Sequence, residues 1–104
     1  RNMQREVVHT FARYRIDQIA LTHFHEDHSG NAAALRRQHN CPVLAGAQTG
    51  TRIASSFALL PYERFWFGSI DPCPNAQPLP HLLEAGPYRL RPIPTLGHSD
   101  DHHV

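Results

Sequence analysis

The sequence predicts an α/β fold in which short apolar strands alternate with helices. Helical periodicity is present in residues 3–14 and 31–39, apolar strand-like segments occupy residues 17–22 and 41–45, and a histidine-rich run directly follows the first of these strands. The chain has 104 residues, of which 40% are hydrophobic and 9% aromatic. This composition is typical of a globular protein and excludes a disordered polar chain.

The two predicted strands and the helix between them form a βαβ unit. Residues 17–22 are apolar at their centre, as a buried parallel strand would be, and residues 41–45 form the next strand. The helix at 31–39 lies between them, so we expect a right-handed crossover and a parallel sheet. Before this unit, the apolar residues of 3–14 recur on one face and predict an amphipathic helix.

The second half of the chain has weaker patterns. Residues 47–60 predict a helix that Pro61 ends. Residues 71–80 contain four prolines and are interpreted as an irregular connection. Residues 82–87 indicate a hairpin turn, and residues 88–93 alternate apolar with basic side chains, as a half-exposed strand would.

The run that follows the first strand is rich in metal-ligating residue types. His23, His25, Asp27 and His28 lie within six positions. Alternate side chains of an extended chain share a face, so His23 and His25 can point to one place, and a turn after them would bring Asp27 and His28 close. Imidazole and carboxylate ligands suit zinc, with iron or manganese as alternatives. A site with fewer protein ligands than its full complement keeps a position for water, which favours catalysis.

The pattern His-x-His-x-Asp-His in residues 23–28 resembles the signature of the metallo-β-lactamase-fold hydrolase superfamily. A second segment, Ile-Pro-Thr-Leu-Gly-His-Ser at residues 93–99, is similar to the Thr-Pro-Gly-His-Ser/Thr loop of that family. The resemblance also implies that Thr22 and Gly97 shape the two loops. The metal ligands that it implies are His23, His25 and His98 for one ion, and Asp27 and His28 for a second.

The resemblance implies a partial αββα sandwich. The family pattern has strands and an aspartate before the histidine-rich run, and further ligands well after the Gly-His segment. We therefore expect residues 1–104 to be one metallo-β-lactamase-like domain that is incomplete at both ends, with about half of it present. The polar residues 100–103 lie too near His98 in the sequence to replace the distant ligands.

Metal-dependent hydrolysis is the function that these ligands imply. The first ion would lower the pKa of a bound water from about 15.7 to near 7 and so supply hydroxide as the nucleophile. Asp27 would accept a hydrogen bond from the hydroxide and orient it, which makes Asp27 the predicted catalytic residue. The bond cleaved would be an ester, thioester, lactam or phosphodiester. We expect two zinc ions in the intact domain and expect this chain alone to be a poor catalyst, inactive or nearly so.

Two other functions use similar residues. A non-enzymatic metal-binding or structural domain would close a four-ligand shell and leave no position for water. A di-iron oxidoreductase of the same scaffold would need an acidic residue in place of a histidine in the run, and His25 argues against it.

The composition does not indicate a nucleic-acid partner. Ten arginines, no lysine and nine acidic residues give a formal charge of +1. No apolar stretch approaches the roughly 18 to 20 residues of a membrane span. We expect a small-molecule substrate, and as a protein partner either the missing part of the same domain or a second copy of the chain. The aromatic cluster at 65–67 is interpreted as core or subunit contact, with a substrate cleft as the alternative.

The two cysteines have no metal-binding or redox spacing. Cys41 and Cys73 lack a Cys-x-x-Cys arrangement, so we expect two buried or partly buried thiols, with a disulfide as the alternative. Thiols favour a reducing, cytoplasmic location.

Overall fold

A short parallel sheet lies at the centre of the fold. The computed structural model describes residues 3–55 and 70–104. Within them, the sheet has the strand order β1-β2-β3, and each strand runs parallel to its neighbour. The parallel pairing that the sequence predicts for the first two strands is confirmed. The strand bounds are Ile19–Ala20 for β1, Val43–Ala45 for β2 and Gln77–Pro78 for β3.

Helices connect and flank these strands. Two helices lie between β1 and β2, and another leads from β2 toward β3. The N-terminal helix contacts the helix that directly precedes β2. The side-chain amide of Gln38 fixes that contact, since its Nε2 donates to the Val8 carbonyl at 3.1 Å. The helices of the described residues are α1 Met3–Phe11, α2 Glu26–Ser29, α3 Ala32–His39 and α4 Ala47–Ile53.

An antiparallel hairpin follows β3. It consists of β4, Leu83–Ala85, and β5, Tyr88–Leu90, and it confirms the hairpin turn predicted from the sequence. Gly86 in the turn has a φ of +59°, which glycine adopts without the penalty that a Cβ would bring. Further along, Pro94 pairs with His103 in an isolated antiparallel bridge. This bridge closes the residues between them into a loop.

The core is small and lies between the sheet and the helices. Val43 and Ile53 are almost completely buried. Two alanines of α3 belong to the same buried cluster. The remaining buried members of the cluster are Leu21, Ala32, Ala33, Ala45 and Cys73. Both cysteines are buried and unpaired, as their spacing predicts, and burial raises the pKa of the Cys41 thiol.

Several predicted elements differ in extent from those observed. The strand predicted at 17–22 is only two residues long, and Ala20 is exposed, so the prediction of a fully buried first strand was wrong. The helix predicted at 3–14 ends at Phe11 in a turn, where the Tyr14 amide donates to the Phe11 carbonyl. The predicted helix at 47–60 is helical to Ile53, and its part beyond residue 55 lies outside the described residues.

The prediction of an irregular connection at 71–80 missed a strand. Gln77–Pro78 pairs with β2, and the Leu79 amide donates to the Ala45 carbonyl at 3.0 Å. Proline is tolerated there because β3 is the last strand of the described sheet and has no further neighbour that needs its missing donor. The aromatic cluster at 65–67 lies outside the described residues. No helix in the described part of the chain is long and apolar enough to cross a membrane.

Candidate metal centre

The histidine-rich run begins where β1 ends. The His103 amide donates to the Thr22 carbonyl at 2.9 Å, which ties the C-terminal segment to the start of the run. The chain then turns into α2, where the amides of His28 and Ser29 donate to the His25 carbonyl at 3.0 and 2.8 Å. The run therefore bends at Thr22 and Phe24, has an extended backbone at His25 and is helical after it. The turn after His25 agrees with the prediction, whereas the two bends interrupt the extended segment that the sequence predicts.

Three imidazoles converge at this end of the sheet. The Nε2 atom of His98 lies 3.2 Å from His25 Nδ1 and 3.2 Å from His23 Nε2. One candidate ligand atom from each of the three residues lies within 4.8 Å of the others. Tetrahedral zinc with Zn–N distances of about 2.0 to 2.1 Å holds its nitrogen ligands about 3.3 Å apart. The donor type therefore suits zinc, and the two separations that involve His98 match this spacing.

His23 is the buried member of this group. Its side chain is 1% exposed, and its Nδ1 lies 2.8 Å from the Thr22 hydroxyl. When Nδ1 carries the proton and donates to Thr22, the Nε2 lone pair faces His98. Burial lowers the pKa of His23, and the neighbouring imidazoles of His28 and His25 lower it further. A neutral ring is the form that binds a metal.

His98 reaches the group from an exposed loop. The loop is closed by the Thr95 amide, which donates to the His102 carbonyl at 2.9 Å. Gly97 has a φ of +147°, a backbone conformation that residues with a Cβ rarely adopt. This glycine lets the chain reverse so that His98 lies over His23. Its place next to the proposed ligand agrees with the shaping role that the resemblance implies.

Asp27 and His28 lie on the exposed side of α2, and the ring of His28 is next to that of His23. The Asp27 carboxylate is 3.5 Å from His28 Nε2. The ring centroid of His28 is 4.4 Å from that of His23, whereas neither residue belongs to the group of three convergent ligand atoms. The role of both residues toward a second ion, and the role of Asp27 in catalysis, stay predictions.

Asp101 is a buried residue of the site whose function the sequence did not reveal. It is 4% exposed, and its carboxylate accepts hydrogen bonds from the Phe24 amide, the Thr49 hydroxyl and the Ser99 hydroxyl. Burial alone would raise its pKa, but the hydroxyls of Ser99 and Thr49 and the charge of Arg52 outweigh burial and lower the pKa. The side chain is therefore a carboxylate at neutral pH. The feature of the sequence that could have pointed to Asp101 is the acidic pair directly after Gly-His-Ser, at residues 100 and 101.

Two further side chains complete the surroundings. The Arg52 guanidinium lies 2.7 Å from the Asp100 carboxylate and 4.5 Å from the centroid of the Phe24 ring. This hydrogen-bonded pairing raises the pKa of Arg52. The His102 ring lies 4.8 Å from that of His23 between centroids, and its Nδ1 is 2.8 Å from the Thr95 hydroxyl. His102 is thus a neighbour of the candidate ligands.

The parallel sheet and the imidazole cluster at its edge define an α/β protein with a candidate metal centre. Residues 4–104 match the family described as the Metallo-beta-lactamase superfamily, and the chain belongs to this family. The resemblance noted in the sequence is confirmed. A comparison with curated proteins found no significant match.

Several solved metallo-β-lactamase structures share the fold. The chain is 27% identical to SMB-1 in its complex with mercaptoacetic acid, with a TM-score of 0.63, and the match covers 85% of this chain and 35% of that one. The enzyme of Cronobacter sakazakii with a HARLDQ motif is 22% identical, with a TM-score of 0.65 and coverages of 85% and 36%. MEM-A1, a subclass B3 enzyme from a soil metagenome library, is 20% identical, with a TM-score of 0.68 and coverages of 94% and 39%.

These comparisons confirm the predicted fold class, a partial metallo-β-lactamase-like domain. The chain spans between 35% and 39% of the length of these three structures. The superfamily includes metal-dependent hydrolases, and the cluster of His23, His25 and His98 is able to hold a metal ion.

Proposed function

We propose that the protein containing this chain is a zinc-dependent hydrolase. The observation that supports this most directly is the convergence of the imidazole nitrogens of His23, His25 and His98. Membership of the metallo-β-lactamase superfamily supports it independently. Three protein ligands leave the fourth tetrahedral position open, as in catalytic rather than structural zinc sites.

The residues of the chain have separate roles in this proposal. A bound zinc ion supplies Lewis acidity and lowers the pKa of water to about 7. Thr22 fixes the ring of His23, which keeps its Nε2 directed toward His98. Asp27, which is exposed, would accept a hydrogen bond from a water at the site and, together with His28, would hold a second ion.

The substrate is proposed to be a small molecule with an ester, thioester, lactam or phosphodiester bond. The similar structures named above are metallo-β-lactamases, which favours a lactam among these four. His98 and Asp27 are exposed, so a ligand can reach this side of the cluster from solvent. The unpaired thiols support a cytoplasmic location. The rest of the same domain or a second copy of the chain is the proposed protein partner.

A non-enzymatic metal site is the second candidate function. His102 favours it, because its ring lies 4.8 Å from that of His23 between centroids and 5.7 Å from that of His98. A small rotation of the loop would let His102 supply a fourth imidazole and close the shell. The coordination number distinguishes the two candidates: X-ray absorption should detect three imidazoles and a water oxygen in a hydrolase, and four imidazoles in a closed site.

The direct test uses the intact protein loaded with zinc. We expect bound metal and turnover of at least one substrate from a panel of lactam, thioester and phosphodiester compounds. His98→Ala should lose both. His81→Ala is the matched control, because His81 is an exposed histidine remote from the three convergent ligands in the sequence. Unchanged metal content and turnover in His98→Ala would contradict the proposal.

A further inference from the structure

We propose that Asp101 is a positioning residue that holds the histidine-rich run and the Gly-His loop in a fixed relation, so that the three imidazoles face one another before an ion binds. The expected effect on metal affinity rests on the proposed function. The effect on the arrangement of the imidazoles does not, because it concerns contacts within the protein itself.

The first contact fixes the histidine-rich run. The Phe24 amide donates to Asp101 Oδ2 at 3.0 Å. Phe24 stands between His23 and His25, in the segment that joins β1 to α2, so this bond holds the backbone that connects two proposed ligands. The Phe24 ring is covered on one face by the Arg52 guanidinium. The side chain and the amide of Phe24 are therefore both held.

The second contact fixes the loop that carries the third histidine. The Ser99 hydroxyl donates to Asp101 Oδ1 at 2.6 Å, and Ser99 directly follows His98. The Asp101 carboxylate therefore accepts hydrogen bonds from residues adjacent to all three proposed ligands. Its Oδ2 accepts from the histidine-rich run, and its Oδ1 accepts from the loop that carries His98. A shift of the loop relative to the run would break one of these two bonds.

The third contact anchors the carboxylate to the body of the fold. Thr49 of α4 is completely buried, and its hydroxyl donates to Asp101 Oδ2 at 2.7 Å. The helix is packed against β2 and β3. Asp101 thus connects both metal motifs to α4 and, through α4, to the sheet.

A carboxylate suits this position better than an amide. Its two oxygens accept three hydrogen bonds, and Arg52 lies 3.6 Å from Oδ1, which balances the buried charge. An asparagine offers one oxygen and one NH₂ group, so it cannot accept from both Ser99 and the Phe24–Thr49 pair. The Ser99 hydroxyl could then only accept from the NH₂ group, so its bond to a charged oxygen and the attraction between the carboxylate and Arg52 would both be lost.

The neighbouring residue provides a matched control. Asp100 is adjacent in sequence, carries the same charge and also pairs with Arg52, at 2.7 Å. Its side chain is exposed, and its ion pair lies on the surface of the molecule. The variants Asp101→Asn and Asp100→Asn remove the same charge from the same segment, and only the first removes the contacts to the metal motifs.

The test compares zinc affinity in the intact protein by competition with a chelator, at a temperature well below unfolding of every variant. Loss of a residue that orients metal ligands weakens binding by roughly 10- to 100-fold, and we expect this for Asp101→Asn. We expect Asp100→Asn to remain close to wild type. The absorption spectrum of the cobalt-substituted protein should change in Asp101→Asn, since the ligand geometry relaxes, and stay unchanged in Asp100→Asn.

A second measurement needs no metal. Hydrogen exchange of the Phe24 amide in the metal-free protein should be faster in Asp101→Asn, and the magnetic resonance contact between the His23 and His98 rings should weaken. If Asp101→Asn fails to fold, Thr49→Val and Ser99→Ala each remove one donor and should each weaken zinc binding by a smaller factor.

The outcomes separate this inference from the proposed function. Zinc affinity, cobalt spectrum and Phe24 exchange that all equal those of wild type in a folded Asp101→Asn would overturn the positioning role. A wild-type protein that binds no zinc would overturn the proposed function, and the two metal-free measurements would then decide the positioning role alone.

Discussion

Each of the three convergent imidazoles is placed by a different local feature of the backbone. His23 lies just beyond the end of β1, His25 immediately precedes the first turn of α2, and His98 follows a glycine with positive φ. Their nitrogens meet because the C-terminal segment bonds back to Thr22. A change in any one of these features would separate the ligand atoms without altering the ligands themselves.

Two substitutions should distinguish a loss of metal binding from a loss of turnover alone in the intact protein. His25→Ala removes an imidazole from the convergent group, so we expect bound metal and turnover to fall together. Asp27→Ala should lower turnover while at least one ion stays bound, because Asp27 lies outside that group. Metal content measured beside the rate checks both. Wild-type turnover in His25→Ala with excess zinc would refute the mechanism.

The lowered pKa of Asp101 predicts how the stability of the metal-free protein depends on pH. The unfolded state takes up a proton at a higher pH than the folded state, so protonation favours unfolding in the interval between the two pKa values. The stabilisation by Asp101 is complete above about pH 4, the ordinary aspartate pKa, and is lost as the pH falls through the lower folded value.

Denaturant unfolding of the metal-free protein between about pH 2.5 and 6 measures this effect. The range lies on both sides of the ordinary aspartate pKa of about 3.9. We expect the stability difference between wild type and Asp101→Asn to shrink as the pH falls through this range. A difference that is constant over the whole range would show that the carboxylate charge is not responsible.

The sequence revealed the candidate ligands but not the residue that holds them. His23 and His25 were predictable because their spacing after a strand is local information, and His98 because its segment resembles the family's Gly-His loop. Asp101 was not, since its partners Thr49 and Phe24 are 52 and 77 positions away. A carboxylate near a metal motif in the sequence indicates a ligand as readily as a support, and only the fold shows which donors surround it.

The N-terminus of α4 brings the sheet and the C-terminal segment together. Gly46 precedes α4 with an extended backbone, and a Cβ built on it would lie 2.7 Å from Cε1 of His103. A side chain here would need the His103 ring to move, so glycine is favoured by close approach rather than by its backbone angles. Gly50, within α4, would place a Cβ 3.7 Å from the Cβ of Ala76, which is an ordinary contact.

These two glycines should respond to alanine in opposite directions. Gly46→Ala forces the His103 ring to move and should lower the free energy of unfolding by about 1 to 3 kcal/mol, as overpacking does. Gly50→Ala should raise it by about 0.5 to 1 kcal/mol, because alanine is favoured within a helix. Denaturant unfolding of the two variants side by side checks this, and equal effects would show that the His103 contact is unimportant.

The elements were predictable to the extent that their patterns are local. The helix α3 begins within one residue of its predicted start because the alanine-rich segment has both propensity and periodicity. The strand β3 was missed because its proline argues against a strand, and only pairing with β2 makes it one. The extent of β1 was overestimated at both ends, since only Ile19 and Ala20 pair in register with β2, although the Leu21 amide still donates to the Leu44 carbonyl at 2.9 Å.

The whole molecule presents an apolar surface beside its hairpin. Leu79, Leu83, Leu90 and Val104 line a cavity of about 310 Å³, together with residues of β1. Several large apolar side chains nearby are exposed by half or more: Tyr88 by 69%, Leu90 by 51% and Ile93 by 50%. Contiguous apolar surface of this kind is rare on soluble monomers and favours association.

The 104-residue chain produced alone is therefore expected to self-associate, to bind zinc weakly and to hydrolyse generic esters or thioesters slowly. The exposed apolar residues favour association, and the second proposed ion would have only Asp27 and His28 within the described residues, fewer than the four ligand groups that zinc usually has. Sedimentation velocity should show species larger than a monomer, and Leu90→Lys should reduce them because it places a charge on the apolar face of β5. Arg89→Gln, at the neighbouring residue of β5, is the control and should not reduce the species larger than a monomer. A monodisperse monomer that binds two zinc ions tightly and turns over rapidly would show that these 104 residues suffice for the complete site.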